Sequence, residues 1–203
     1  VGSEMCIRDR ALYEEMKTKV TNIAAKGGST KFKITSDMGL RWQTSASGAR
    51  LEKEVSQTFD NLDTDKVLSC LRTDCPYELY WYEKTANTEW SYNYSVSVSG
   101  GKRIVRITDL EVSMPVCNGY ASDQYRVDAS MVNIAKASAA NAKQIVNEFK
   151  NSSVTEKLVA YKEMICYLTD YNDEAMSDSY ADGYGDPWQL IWVFDGCLLY
   201  TSP

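Results

Sequence analysis

The chain has 203 residues, with 28 acidic against 22 basic side chains and a formal charge of −6. That balance disfavours nucleic acid and anionic membrane as partners, because phosphate binding needs a basic surface. Hydrophobic residues at 44% and charged residues at 25% exclude a disordered chain, and no apolar run is long enough to span a bilayer.

The ends do not suit their neighbours. VGSEMCIRDR (1–10) and CLLYTSP (197–203) resemble translated sequencing-adapter read-through, so both are expected to be artefactual and are set aside from fold reasoning.

Residues 11–27 predict a helix, with Leu12, Met16, Val20 and Ile23 on one stripe and Gly27-Gly28 ending it. Residues 29–58 read as a looser stretch with short β-like pieces at KFKI and LRWQT. Asp63 or Thr64 then caps a short helix carrying Val67, Cys70 and Leu71, and Pro76 forbids its continuation. YELYWY (77–82) predicts a strand, since aromatic residues favour a pleated surface.

The clearest motif is a hairpin. Trp90, Tyr92, Tyr94, Val96 and Val98 alternate with Ser and Asn, Gly100-Gly101 supplies the turn, and Val105 and Ile107 continue on the return strand. Its aromatic row reads first as the core face of a one-sided sheet, and alternatively as a platform for sugars.

After a turn near 117–124 the period becomes helical. Asp128 caps a helix with Met131, Ile134, Ser138, Ala142, Ile145 and Phe149 on one stripe. Ser153 and Glu156 form a capping box for a second helix, whose expected buried face is Leu158, Tyr161, Ile165 and Leu168. An acidic loop follows, with Asp170, Asp173, Glu174, Asp178, Asp182 and Asp186, then the apolar run WQLIWVF (188–194). The fold class is therefore α+β: an antiparallel sheet with a hairpin, plus a helical segment.

The chemistry is bounded by an absence: the chain contains no histidine. A cysteine nucleophile usually borrows an imidazole, a serine triad needs one, and zinc sites rely on it. Of six cysteines, Cys6 and Cys197 fall in the suspect ends. Cys70, Cys75, Cys117 and Cys166 show no paired metal-ligand spacing and read as free thiols; a Cys70–Cys75 disulfide would be awkward inside a helix. The acidic loop could hold calcium, but Tyr180 stands where an EF-hand loop needs Asp or Asn and Gln189 where it needs a bidentate Glu, so a solvated loop is the plainer reading. No catalytic, metal or cofactor-binding residue is assigned from the sequence.

Three stretches, in their order, resemble the bacterial transglutaminase-like proteins of the papain-related cysteine superfamily. LDTDKVLSCLRTDCPYELYWYE is similar to the short helix and D-x-P-E-[LF]-x-W segment before the catalytic core, with Tyr77 inserted between Pro76 and Glu78. EKLVAYKEMICYLTDYNDEA resembles the helix ending in a Thr-x-Tyr-[DN] turn, matched by Thr169, Tyr171 and Asn172. YGDPWQLIWVFDG is similar to the run entering the nucleophile motif.

The resemblance implies residues 11–125 as an α+β accessory region and 126–196 as the start of an incomplete core. It implies a cysteine-dependent acyl-transfer or amide-hydrolysis parent at the cell surface, acting on protein or peptide. The family's V-C-x-G-[YF] nucleophile motif is not matched by Cys197-Leu198-Leu199-Tyr200, which lacks the glycine. VCNGYA (116–121) matches it better, but SDQYRVD follows without helical period, so Cys117 reads as a strand-end residue in a glycine turn. The chain itself is expected to be catalytically inert. The alternative is a noncatalytic module binding peptide or cell-wall glycan through the aromatic hairpin.

Overall fold

A computed structural model describes residues 7–171 and 199–201, with side chains described for 7–168. The acidic loop after Tyr171, the 188–194 run and Cys197 lie outside the described residues. The chain divides into two compact units, at residues 1–128 and 129–203.

In the first unit, α1 (Ile7–Lys26) buries Leu12, Met16, Val20 and Ile23, the expected stripe, and begins at Ile7, within the segment expected to be artefactual. Gly27 adopts a positive φ of 71° and its N–H closes on the Ile23 carbonyl, so a glycine ends the helix there. KFKI and LRWQT supply two short strands, β2 (Lys31–Lys33) and β3 (Arg41–Thr44), after β1 (Gly28–Ser29).

The stretch expected to be loose then holds a helix, α2 (Ala49–Asp60). Leu51, Val55 and Phe59 recur every four residues, and Leu51 and Val55 are buried. Its N-cap is Gly48, which offers no side-chain acceptor, so the start signal is silent. α3 (Thr64–Asp74) is capped as expected: the Asp63 carboxylate accepts from Lys66 N at 3.0 Å.

The hairpin forms as read, with β4 (Glu89–Ser99) and β5 (Lys102–Ser113) joined by Gly100 and Gly101 at φ 60° and 77°. Two consecutive positive φ values are what a type I′ turn requires. β5 is the centre of the larger sheet: β2 and β3 pair along one side of it and β4 along the other, all antiparallel. A bulge interrupts the ladder opposite Tyr92, where Asp109 sits at φ 50°, a region Asp tolerates. Beyond β5, β6 (Ala121–Asp123) and β7 (Arg126–Val127) form a small antiparallel sheet with β1.

YELYWY is not a strand. Pro76 stops α3, and residues 76–81 run through turns closed by Leu79 N to Cys75 O and Tyr82 N to Leu79 O. Among the described residues its only ladder contact is an isolated bridge between Tyr82 and Val116. Tyr80, Trp81 and Tyr82 are buried by packing instead of pleating, while Tyr77 is exposed.

The second unit holds α4 (Ala129–Glu148) and α5 (Val154–Leu168), followed by the short strands β8 (Thr169–Tyr171) and β9 (Leu199–Thr201), which pair in parallel. The buried stripe of α4 is Val132, Ala135 and Ser138, turned from the expected one, with Ile134 left exposed. The capping box is formed: Ser153 N donates to Glu156 Oε2 at 2.8 Å, and Glu156 N to Ser153 Oγ at 3.3 Å. The expected buried face of α5 is not buried; Leu158 and Ile165 are exposed. Among the described residues no helix is long and apolar enough to cross a membrane.

Candidate functional site

Two regions of the first unit carry the residues singled out from sequence. The first is a buried knot where residues 79–83 meet 114–120. Glu83 N donates to Pro115 O at 3.0 Å, and Cys117 N donates to Trp81 O at 2.9 Å. The Trp81 carbonyl takes a second donor, the Cys117 thiol, at 3.0 Å. Trp81 has 0% and Cys117 3% of its surface exposed.

Cys117 opens a single 3-10 turn, Asn118–Tyr120, that leads straight into β6, with no helix on which a nucleophile would sit. This agrees with its reading as a strand-end residue. Its sulfur faces the buried Trp81 carbonyl, to which the thiol donates.

The groups around the knot are arranged for packing. The Tyr80 and Tyr120 rings meet edge to face at 4.9 Å, and burial pushes the Tyr80 phenol up to about 12. Tyr82 Oη shares a hydrogen bond of 2.7 Å with Thr88 Oγ1, and Arg72 Nη2 donates to it at 3.4 Å. Burial pulls the Lys84 ammonium below its ordinary value; the nearby Cys117 opposes this and Arg72 adds to it. Burial also raises the Cys75 thiol, with Glu78 adding to it. Cys70, Cys75 and Cys166 are free thiols, and the Cys117 thiol is the one bonded to the Trp81 carbonyl.

The second region is the aromatic face of the hairpin, and it splits along its length. At the base, the α2 side chain Phe59 stacks on Tyr92 with ring centroids 4.5 Å apart, and lies 6.4 Å from Trp90. Trp42 on β3 donates through Nε1 to Glu54 Oε2 at 3.3 Å, tying α2 to the same sheet. Trp90 and Tyr92 are thus half-buried by a helix that sequence reasoning missed; the four-residue period of Leu51, Val55 and Phe59 was the signal that could have found it.

Toward the tip the cover stops. Tyr94, Val96 and Val98 are 40%, 44% and 71% exposed. The row is therefore neither a continuous core face nor a free platform of three rings. Among the described residues β4 pairs only with β5, so it is an edge strand of the sheet. From Trp90 to Ser99 it carries no charged residue and no proline.

No group of three or more metal-ligating side chains occurs among the described residues. No protein-family model, curated protein or solved structure matches this chain.

Proposed function

We propose that this chain acts by binding and not by catalysis, as an accessory region of a transglutaminase-like protein at the cell surface, and that its contact with partners is made by an extended protein segment laid along β4. The observation that carries the reading is the edge: an eleven-residue strand that, among the described residues, is paired on one side only, with Tyr94, Val96 and Val98 exposed. An exposed edge offers a row of unpaired N–H and C=O groups, and an added strand satisfies them while side-chain neighbours set selectivity.

The thiol side of the argument supports the same reading. No imidazole is encoded anywhere in the chain, and the Cys117 sulfur is buried against a carbonyl. The glycan alternative finds less support, because two of the three rings it needs are engaged by Phe59.

The test has two arms. An uncharged extended probe peptide of alternating Thr and Val should slow amide exchange at Tyr94, Val96 and Val98 and leave exchange at Cys117 unchanged. The same protein, given a glutaminyl peptide and hydroxylamine, should form no hydroxamate above buffer. Turnover abolished by Cys117→Ser, or exchange at β4 indifferent to the probe, would overturn the reading.

A further inference from the structure

We infer that the segment received by β4 is β4 of a second copy of this chain, paired antiparallel about a two-fold axis. This rests on the edge-docking reading above and names its partner.

The direction of the free backbone groups follows from the turn. In a type I′ hairpin the carbonyl of the first residue accepts from the N–H of the fourth, here Ser99 and Lys102. N–H and C=O of one strand residue point to the same side, and the side alternates along the strand. Ser99, Ser97 and Ser95 therefore bond inward to β5. Tyr94, Val96 and Val98 turn their backbone groups outward. These are also the three whose side chains are uncovered on the apolar face. Backbone and side-chain needs are thus unmet at the same residues.

A register centred on Val96 answers both. Val96 meets its own counterpart, and Tyr94 of each copy meets Val98 of the other. Each such pair exchanges two N–H···O bonds. The apolar face gains two aromatic–β-branched contacts and one Val–Val contact, the pair types that stabilise antiparallel ladders. On the opposite face Ser95 meets Ser97 of the other copy.

The self-complementary register, in which one strand supplies both members of every pair, favours a second copy over a foreign segment, and the charge pattern permits it. A chain of net charge −6 repels itself, so self-association needs a surface on which like charges do not meet. The ten residues from Trp90 to Ser99 are uncharged, and the strand is flanked by Glu89 at its start and Lys102 just past the turn. Antiparallel pairing about Val96 sets Ser99 opposite Asn93, so the paired stretch contains no charge and no like charges meet along it. The outer half of this edge has no lysine, no proline and no inward-pointing charge to blunt it, and the bulge of the ladder lies further back, opposite Tyr92. An isologous pair also closes, because it consumes the β4 edge of both copies.

Sedimentation velocity on the whole chain tests this, from about 1 µM to about 100 µM, the range in which small interfaces associate. The weight-average mass should rise from 22.9 kDa toward twice that value. Val96→Lys, and separately Val96→Pro, should weaken association by at least about tenfold, since one adds a like charge at the axis and the other removes an outward donor. The Val96 N–H points away from β5 and bonds no backbone group among the described residues, so the proline variant should keep the circular dichroism of the parent.

A parent chain that stays monomeric throughout, or a dimer that both variants leave equally tight, overturns the inference. Those results separate from the reading beneath it. A monomer whose β4 amides are still protected by the probe peptide retains edge docking and loses self-pairing. A monomer that ignores the probe loses both.

Discussion

Two short stretches of this chain look alike and behave oppositely. YELYWY and WSYNYSVSVS are both rich in aromatic residues, and both read as strands. The first is an irregular knot in which Leu79 to Tyr82 are buried, and the second is an open-edged strand with its outer half exposed. The difference lies in backbone bonding and not in hydrophobicity. In the knot, Trp81 O accepts from both the amide and the thiol of Cys117, so the segment is captured from across the fold. In β4 the inward groups are met by β5 and the outward ones by nothing among the described residues. Aromatic content therefore marks where burial is available, and topology decides whether it happens.

The largest separation of the two stretches should come from truncation. Trp81→Ala removes a fully buried indole and should cost about 3–5 kcal/mol in urea unfolding, whereas Val98→Ala at the exposed tip should stay within about 0.5 kcal/mol. Equal costs would mean that the knot and the edge are not different environments.

Alkali should sharpen the contrast. Burial raises the Tyr80 phenol from 10.0 to about 12, so the stability it contributes is fully present below pH 10 and is lost as pH rises through 12. A phenolate absorbance titration should show a late component near pH 12, and Tyr80→Phe should remove it.

Side-chain capture of backbone groups can be tested away from both stretches. The Glu15 carboxylate accepts from Thr35 N and Thr35 Oγ1, each at 2.8 Å on Oε1, and from Ser36 N at 2.7 Å on Oε2. Burial pushes this carboxyl up, but the bonds from Ser36 and Thr35 outweigh it and hold it below the usual range. Its contribution is then present above the unfolded carboxylate value and is lost as pH falls through the lower folded one. Glu15→Gln should cost roughly 1.5–3 kcal/mol at neutral pH and flatten the acid limb of stability. Asp63→Ala should cost about 1 kcal/mol by removing the cap of α3.

How much was legible in the sequence follows from the same physics. α1, the hairpin turn, the Asp63 cap and the Ser153–Glu156 box were readable because each is specified by residues close in sequence. α2 was hidden by its capless glycine start and its serine-rich surroundings. YELYWY was misread because its partner, the 114–117 segment, lies more than thirty residues away. The face of α5 was read from period alone, and period does not say whether anything covers it. Candidate residues were found the same way: the alternating row of β4 was evident, and its place at the edge was not, since strand order is not written in any one strand.

The most direct test of the account is residue-resolved amide hydrogen exchange on the dilute protein, at about 1 µM, where weak pairs of edges are apart. Cys117 and Tyr82 should exchange slowly, with protection near that of global unfolding, while Tyr94, Val96 and Val98 exchange faster by orders of magnitude. Slow exchange at those three β4 positions in the monomer would show the edge to be already covered, and would contradict the assignment of β4 as the surface through which this chain acts.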